Sequence, residues 1–400
     1  MRKILTTTFN GIAASTAAIR RRAKTAFGFS LAVTFSCLST AVAQQPTAAQ
    51  TLAPTATGGS YPVSFASAGG TISSVTDMPT VDASYSPQSD SSLIQPASHF
   101  AHSGGGYLGG NPCAAGCDVS YYVNYEALWL RREDDRRYSL SRLNFMPDWD
   151  FEFGGRYTIG TLEDCVNGWE LSYVGPYDWN RFGTASGSGT LQSNLVASNG
   201  FTAGDIDAFN NADQHIQSWR ASMQSFEINR KWWTWDVLST SIGVRYVDYE
   251  EDFRFFSTRS GVGNGVLNES VDNELLGVQV GVDMLFPVSL RGNVGFKGKG
   301  GVYANFDERN AFVSNAGTTI INSGDSDVDV AGIIELGVFG NYHIVPSVRL
   351  TAAYEFWYMP GVATVPEQLP RLITANSGTT LIDDGEVLLH GGSVGLQILF

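Results

Sequence analysis

The final stretch of the chain, residues 388–400, places the strongest constraint on what the protein can fold into. It reads Leu-Leu-His-Gly-Gly-Ser-Val-Gly-Leu-Gln-Ile-Leu-Phe. Positions 392, 394, 396, 398 and 400 hold Gly or apolar residues, whereas 391, 393, 395 and 397 hold Gly, Ser or Gln. Side chains alternate between the two faces of a strand, so the pattern predicts a β-strand with one apolar and one small polar face. Such a strand suits the wall of a transmembrane barrel, where it closes against the first strand and Phe400 lies in the interfacial aromatic girdle.

Strand-like runs of this kind recur from residue 120 onward. They cover residues 120–131, 148–159, 167–179, 217–232, 236–249, 271–286, 289–306, 328–343, 347–358 and 388–400. Runs of this length exceed typical globular strands and suit tilted strands that cross a bilayer. We therefore predict an all-β fold, a transmembrane antiparallel up-and-down β-barrel of about ten strands, or of eight or twelve if a hairpin is miscounted.

The connections between these runs alternate in length. Short ones lie at 161–166, 233–235, 287–288 and 344–346, and long ones, rich in Gly, Ser, Asn and Asp, lie at 132–147, 180–216, 250–270, 307–327 and 359–387. Short periplasmic turns that alternate with long outer loops are typical of outer-membrane barrels. This arrangement places both ends of the barrel in the periplasm. The connection 180–216 is expected either to fold into the lumen or to stand outside as an adhesive surface, with a short helix within 204–216.

Charged residues divide between the strand faces in a way that identifies the inside of the barrel. In 289–306, one face carries Arg291, Lys297 and Lys299, and the other face carries no charge. A charged side chain at the lipid midplane costs roughly 2–4 kcal/mol, so the charged faces are predicted to line the lumen. The groups either pair with one another and fill a narrow barrel, or form one wall of a small selective pore. The predicted lumen residues are Glu126, Glu152, Arg156, Glu170, Glu227, Arg245, Asp283, Arg291, Lys297, Lys299, Glu335, Arg349 and Glu355.

One run, 217–232, divides less clearly than the others. Arg220 and Gln224 share a face with Phe226 and Ile228, although a lipid-facing surface should exclude the charged residue. We therefore expect the register or the boundaries of this strand to differ from the assignment.

The chain before the first strand falls into two segments. Residues 1–43 contain a basic leader, an apolar run at 26–38 and Ala41-Val-Ala43, which together predict a secretory signal peptide. Residues 44–118 are rich in Ala, Ser, Thr, Gly and Pro and contain no Lys or Arg. This composition predicts a disordered periplasmic tether, with a peptidoglycan-binding or partner-binding arm as the alternative. The barrel domain is then 119–400.

The cysteines and the net charge bear on chemistry and partners. In an oxidising compartment, Cys113 and Cys117 are expected to form a disulfide, with pairing of either to Cys165 as the alternative. Three cysteines without a nearby His make an incomplete zinc site. A formal net charge of -14 argues against a nucleic-acid partner, which requires clustered Lys and Arg.

Two short motifs have catalytic or metal-binding counterparts. Residues 391–395 match the G-x-S-x-G nucleophile elbow around Ser393, next to His390, but the motif requires a strand, a sharp turn and a helix. Residues 325–329 hold three alternating aspartates of a calcium loop, yet Val330 and Leu336 stand where Gly and Glu are needed. We predict no catalytic, cofactor or metal site and no enzymatic activity, with an outer-membrane lipid hydrolase or acyltransferase as a remote alternative.

The first strand carries a family resemblance. Its sequence is Tyr-Tyr-Val-Asn-Tyr-Glu-Ala-Leu-Trp-Leu-Arg-Arg at 121–132, and 126–132 is its most specific part. With the signal, the tether and the terminal Phe400, the chain resembles outer-membrane β-barrel proteins of planctomycetes, which are distantly similar to the pore-forming major outer-membrane proteins of Legionella. The resemblance covers about residues 118–400. It implies a barrel and a pore, and it transfers no catalytic residue.

These observations predict a narrow porin-like channel or a structural protein of the outer membrane. A surface adhesin that presents long outer loops is the alternative. The expected partners are outer-membrane lipid and lipopolysaccharide, the barrel-assembly machinery, for which Phe400 is the predicted signal, and small solutes or ions.

Overall fold

The computed structural model describes residues 119–400 apart from 134–137, 144–145, 164–165 and 236. The predicted signal peptide, the tether, and the Cys113, Cys117 and Cys165 pairings lie outside the described residues. The strands are β1 (Ser120–Glu133), β2 (Glu152–Leu162), β3 (Asn167–Leu191), β4 (Val196–Ala197), β5 (Ala212–Trp235), β6 (Leu238–Arg259), β7 (Gly263–Pro287), β8 (Gly292–Asn315), β9 (Thr318–Val345), β10 (Val348–Val362), β11 (Leu372–Ile373) and β12 (Gly385–Leu399). A 3₁₀ helix (Ala203–Phe209) and a single α-helical turn, α1 (Val365–Gln368), lie in connections.

Ten of the strands form a closed antiparallel barrel. Their order around the wall is β1-β12-β10-β9-β8-β7-β6-β5-β3-β2, so the chain runs up and down between neighbours and then closes. Two short strands, β4 and β11, form a separate parallel pair. The predicted fold class and the strand count of ten are confirmed.

The closing seam joins the two ends of the barrel chain. β12 pairs with β1 from Tyr122 opposite Leu399 to Glu133 opposite Leu388. At its end, Tyr121 and Phe400 exchange two backbone hydrogen bonds of 2.9 Å, and their rings stack with centroids 6.4 Å apart. The last residue therefore completes the wall and lies on the outer face, where 70% of it is exposed.

An apolar band surrounds the barrel on its outer face. β7 shows it most clearly, because every outward residue from Leu276 to Phe286 is apolar and at least 41% exposed. This stretch covers about 33 Å of strand, and a tilt of roughly 40° gives a height of about 25 Å, which matches the band of membrane barrels. The next outward residues are Glu274 and Asp272, so the band ends sharply.

Several strands continue far beyond the band, which corrects two predicted loops. Residues 250–270 and 307–327 were expected to be irregular, but they are strand except for the turns 260–262 and 316–317. The β8–β9 hairpin turns through Ala316 and Gly317, with φ of 50° and 84°. A two-residue turn of this kind needs positive φ at both positions, and Ala-Gly is a weak sequence signal for it. The period-two alternation through Phe253 and Phe255 was the available clue to the extension.

The same extension explains the unclear pattern of residues 217–232. Within β5, Phe226 and Ile228 face outward in the band, whereas Arg220 faces outward above it and forms a salt bridge with Asp178 of β3. Both residue types lie on one face because that face passes from an apolar to an aqueous environment. The strand boundaries, rather than its register, were misassigned.

The described residues of the short connections lie together at the opposite end of the barrel, at 163, 166, 237, 288–291 and 346–347. Arg291 belongs to one of them and is exposed, because β8 begins only at Gly292. The prediction that Arg291 lines the lumen is therefore wrong, because side chains alternate between inward and outward only within the strand and Arg291 lies in the turn before it.

Candidate functional site

The lumen is filled at two levels that differ in chemistry. Toward the short turns, the inward side chains of the strands are mostly charged or polar, with Leu285 and Phe339 among the exceptions. Toward the long connections, they are largely apolar and pack against loops that fold back into the barrel. The two levels define what could pass through the barrel.

Glu355 of β10 is the centre of the charged level. Its carboxylate accepts hydrogen bonds of 2.8 and 2.6 Å from Arg156 of β2, and Lys297 Nζ of β8 lies 2.5 Å from it. Trp357 donates a further bond of 3.1 Å, and Arg156 also binds Glu126 at 2.8 Å. Because β2, β8 and β10 are not neighbours in the wall, these contacts cross the lumen.

A second group of ion pairs lies beside the first. Arg245 of β6 donates to Glu335 of β9 at 2.5 Å, and Lys299 of β8 donates to Glu227 of β5 at 2.6 Å. Gln279 of β7 donates to the same Glu227 at 2.6 Å. These pairs again join strands that are separated in the wall, so the side chains meet in the middle of the barrel.

A small polar cavity of about 170 Å³ remains at this level. Lys231 lies 2.8 Å from Asp283 and 3.6 Å from Glu170 at its margin, and Arg349 donates to Gln397. Of the predicted lumen set, Arg245, Asp283, Lys297, Lys299, Glu335, Arg349 and Glu355 all face the interior. The observed arrangement is cross-lumen pairing of acids with bases.

Small residues of β12 make room for this network. A Cβ atom at Gly395 would lie 2.5 Å from Cγ of Glu126, and Ser393 also faces inward, with 3% of it exposed. The small polar face of the last strand, from which the barrel was predicted, is thus the surface that admits long charged side chains from the other strands.

Three connections fill the other level, and we call them plug loops A, B and C. Loop A is 134–151, of which 138–143 and 146–151 are described, loop B is 192–211 and loop C is 363–384. β4 of loop B pairs with β11 of loop C, which joins the two loops within the mouth. Their buried apolar residues are Tyr138, Leu140, Met146, Trp149, Leu195, Ile206, Phe209, Ala363, Val365, Leu369 and Ile373. Of the predicted connection 180–216, the part 192–211 folds into the lumen, whereas 180–191 belongs to β3 and 212–216 to β5, so the predicted bounds of this loop are wrong. The predicted short helix corresponds to the 3₁₀ helix.

Loop C is fixed to the wall by buried polar side chains. Asn273 of β7 donates to the carbonyl of Ala363 and accepts from its N–H, both at 2.8 Å. Glu251 of β6 accepts from the N–H of Val365 at 3.1 Å. Arg309 of β8 donates to loop C carbonyl oxygens at 2.5 and 2.6 Å and to the Glu269 carboxylate at 2.5 Å. The sequence analysis did not predict these anchors, because Glu251, Glu269 and Arg309 lie in segments that were predicted to be outer loops, and Asn273 carries no charge that would mark it as a lumen residue.

Loops A and B meet at β5. Gln217 accepts from the N–H of Leu140 at 2.8 Å, and His215 bonds the Ser141 hydroxyl at 2.8 Å and the Phe209 carbonyl at 3.2 Å. His215 is fully buried above the apolar band. Burial lowers the pKa of its imidazole below the ordinary value, so its neutral form is favoured in the folded protein.

Two buried arginines bind the aromatic residues between loop A and the wall. The Arg181 guanidinium lies 4.4 Å from the Trp149 ring centroid and 4.1 Å from that of Trp219. Arg132 lies over the same two rings at 5.2 and 5.1 Å, and its Nη1 is 2.7 Å from Glu251. Desolvated cation–π contacts of this kind contribute about 2 kcal/mol, so they hold Trp149 of loop A in place.

The other predicted motif residues are not brought together. His390 faces outward, where Tyr354 and Glu133 contact its ring nitrogens at 2.6 and 2.8 Å, whereas Ser393 faces the lumen. The pattern around Ser393 lies within a continuous strand and lacks the turn and helix of a nucleophile elbow. In the described part of the chain, no three His, Cys, Asp or Glu side chains are already gathered as a metal site. Across the same residues, no helix is long and apolar enough to span a membrane.

Comparisons with known proteins give structural neighbours only. No protein-family model and no curated protein matches the chain. The outer-membrane protease OmpT from Escherichia coli aligns at a TM-score of 0.32 and 10% identity, covering 71% of this chain and 96% of its own. A major outer-membrane protein from Thermus thermophilus aligns at 0.27 and 13%, covering 71% and 100%. Neisserial surface protein A aligns at 0.23 and 12%, covering 70% and 98%.

The class of this protein is thus a closed ten-stranded up-and-down β-barrel, and the strand order itself defines that class. The neighbours are outer-membrane barrels, but at these scores they say nothing about activity. The resemblance to the planctomycete proteins stays a prediction.

Proposed function

We propose that the chain is an integral outer-membrane β-barrel protein that keeps its lumen closed and has a structural role in the envelope. The single observation that carries this proposal is the double filling of the lumen, by cross-lumen ion pairs at one level and by the three plug loops at the other. A constitutively open diffusion pore needs a continuous polar passage, and in the described part of the chain the buried apolar side chains of the plug loops interrupt it. The apolar band supports the membrane location, with lipid and lipopolysaccharide around it and Phe400 as the assembly signal.

Conductance in planar bilayers tests the closed lumen. We expect no channel steps from the wild-type protein. The matched control is an opened variant, in which a short Gly-Ser linker replaces 364–384 and Arg156 and Lys297 become Ser. We expect this variant to conduct, because both levels of the filling are then reduced.

Two outcomes would contradict the proposal. If the unboiled protein in detergent does not migrate differently from the boiled protein, or has no strand signal by circular dichroism, the membrane barrel is wrong. If the wild type shows steps whose ion selectivity reverses when Lys297 and Lys299 become Glu, the narrow porin alternative is right instead.

A second candidate is a surface-recognition protein. It is favoured by the projection of β5–β9 beyond the apolar band, for example residues 263–273 of β7, whose outward side chains are polar apart from Val266. Shortening the β6–β7 and β8–β9 hairpins to the level of the band should then abolish adhesion to a target surface while the barrel still assembles. Unchanged adhesion would dispose of this candidate.

We propose no catalytic role, because Ser393 and His390 lie on opposite faces of β12. Phospholipid hydrolysis by the wild type that is lost in Ser393→Ala would overturn this view.

A further inference from the structure

A group of carboxylates lies where loop C meets the inner face of β8 and β9. We call it the acidic seam, and its members are Asp307 of β8, Asp327 and Asp329 of β9, and Asp383 of loop C. Asp307 and Asp327 are direct cross-strand partners, so their side chains leave the sheet side by side on the same face. The carboxyl groups of Asp329 and Asp383 are within hydrogen-bonding reach of each other. The seam thus joins the wall to the end of loop C.

The chain of loop C that leads to this seam follows β9 closely. Ser323 donates to the Ser377 carbonyl at 3.4 Å, and Asp325 accepts from the Leu381 N–H at 3.1 Å. Beyond Leu381, the described residues provide no further anchor of this kind before β12 begins at Gly385. The acidic seam occupies that interval.

Asp307 is the buried member of the acidic seam. Only 2% of it is exposed, and among the described residues no other residue donates a hydrogen bond to either carboxylate oxygen, so that its own backbone N–H is the one nearby donor. Burial raises the pKa of Asp307 to about 6, and the charges of Asp329, Asp383 and Asp327 act in the same direction. Arg309, two residues along the same face, directs its donors to Glu269 and to loop C carbonyl oxygens instead.

A buried carboxylate without a donor or a counter-ion is costly, because it loses its hydration and gains nothing in return. Four acidic groups in one seam increase that cost. Oxygen atoms of carboxylates are also the ligands that Mg²⁺ and Ca²⁺ prefer.

We propose that a partly hydrated divalent cation binds in the acidic seam, with Asp307 as its buried ligand, and attaches loop C to the barrel wall. The four groups do not yet form a closed ligand shell in the described structure. Mg²⁺ suits such a loose set, because it retains several waters and needs only one or two carboxylates. Asp327 and Asp383 then contact the ion directly or through its waters, one from the wall and one from the loop.

This inference goes beyond the closed barrel, and it does not require the protein to be structural or closed to solutes. It also differs from the calcium-loop pattern at 325–329. Asp325, Asp327 and Asp329 lie on a strand, not in a loop, and the ligand set draws on three separate segments of the chain.

Hydrogen–deuterium exchange of the full-length protein in detergent tests the site. Exchange of amides 374–384 is measured in chelator, in MgCl₂, in CaCl₂, and in KCl at matched ionic strength, alongside calorimetric titration with each divalent metal. At a metal concentration ten times Kd, exchange in the wild type should slow about tenfold relative to chelator. Asp307→Asn should remove this response. Glu308→Gln, which deletes a charge from the next residue on the outward face, is the matched control and should retain it.

Heat-dependent migration verifies that each variant is a folded barrel, and Asp327→Asn takes the place of Asp307→Asn if the latter does not fold. The proposal is overturned if the divalent metals do not protect loop C in the wild type. It is equally overturned if KCl protects as well as MgCl₂, or if Glu308→Gln loses the response as fully as Asp307→Asn. Protection that appears on acidification and is insensitive to metal would show that protons, rather than a cation, neutralise the seam.

Discussion

Replacing Glu355 by Gln should destabilise the barrel more than any surface charge change. The substitution keeps the shape of the side chain but removes the charge that Arg156 binds through two hydrogen bonds and that Lys297 approaches to 2.5 Å. Breaking a buried ion pair from one side costs about 3–5 kcal/mol, because the partner charge stays buried. We expect about 3 kcal/mol, the lower end of that range, since Arg156 keeps Glu126 at 2.8 Å.

The assay is urea unfolding in lipid vesicles, followed by tryptophan fluorescence. The matched control is Glu163→Gln, which breaks the half-exposed pair with Arg230 at 3.0 Å and should cost about 0–1 kcal/mol. Adding Lys297→Met to Glu355→Gln should recover about 1 kcal/mol of the free energy of unfolding. The Lys297 ammonium, which lost its carboxylate partner in the single variant, is absent from the double variant. Neither variant should conduct, since the plug loops remain.

A cost of Glu355→Gln no greater than that of Glu163→Gln would show that the buried charge of Glu355 does not stabilise the barrel. A double variant less stable than the single one would also refute the reasoning, because the loss would then not come from an uncompensated charge.

Three further predictions concern other parts of the barrel. Glu251→Gln should cost about 3 kcal/mol and accelerate hydrogen exchange in loop C, because the buried Arg132 loses its counter-charge and one of the two acceptor oxygens that serve Arg132 and the Val365 N–H becomes an amide NH₂; Glu250→Gln, on the outward face, should leave that exchange nearly unchanged. The lowered pKa of His215 means that its contribution to stability is fully present above its unfolded pKa of about 6.5 and is lost as pH falls toward the folded value. Loops A and B should therefore be less protected at pH 5 than at pH 7.5, once each observed exchange rate is divided by the intrinsic amide rate at that pH, and His215→Gln should reduce that difference; an equal difference in both proteins would assign it to other groups. Phe400→Asp should lower the amount of heat-modifiable barrel in the outer membrane several-fold, whereas Ser393→Ala should not, and equal effects on assembly would contradict the role of the terminal seam.

Much of the wall could be predicted because membrane barrels impose a local rule on every strand. Outward positions contact lipid and inward positions contact polar groups. The alternation of apolar and polar residues in β7 or β12 therefore shows, from the sequence alone, which face of the strand contacts lipid. The rule fails where the strand leaves the membrane. Above the band, Arg220 and Glu274 are allowed on the outer face, and the apolar signal that separates strand from loop is lost. The β6–β7 and β8–β9 hairpins were underestimated for this reason.

The sequence by itself determined the fold class, the ten strands and most of the inward-facing residues within them, with Arg291 the exception, since each follows from the alternation of neighbours along one strand. Which side chains contact each other inside the barrel was decided only by the tertiary structure. Glu355 contacts Arg156 because barrel closure brings β10 and β2 across the same lumen, and the charge of Asp383 acts on Asp307 because loop C folds back into the mouth. These contacts join residues far apart in the chain, and no local periodicity encodes which partners a closed wall will place opposite each other.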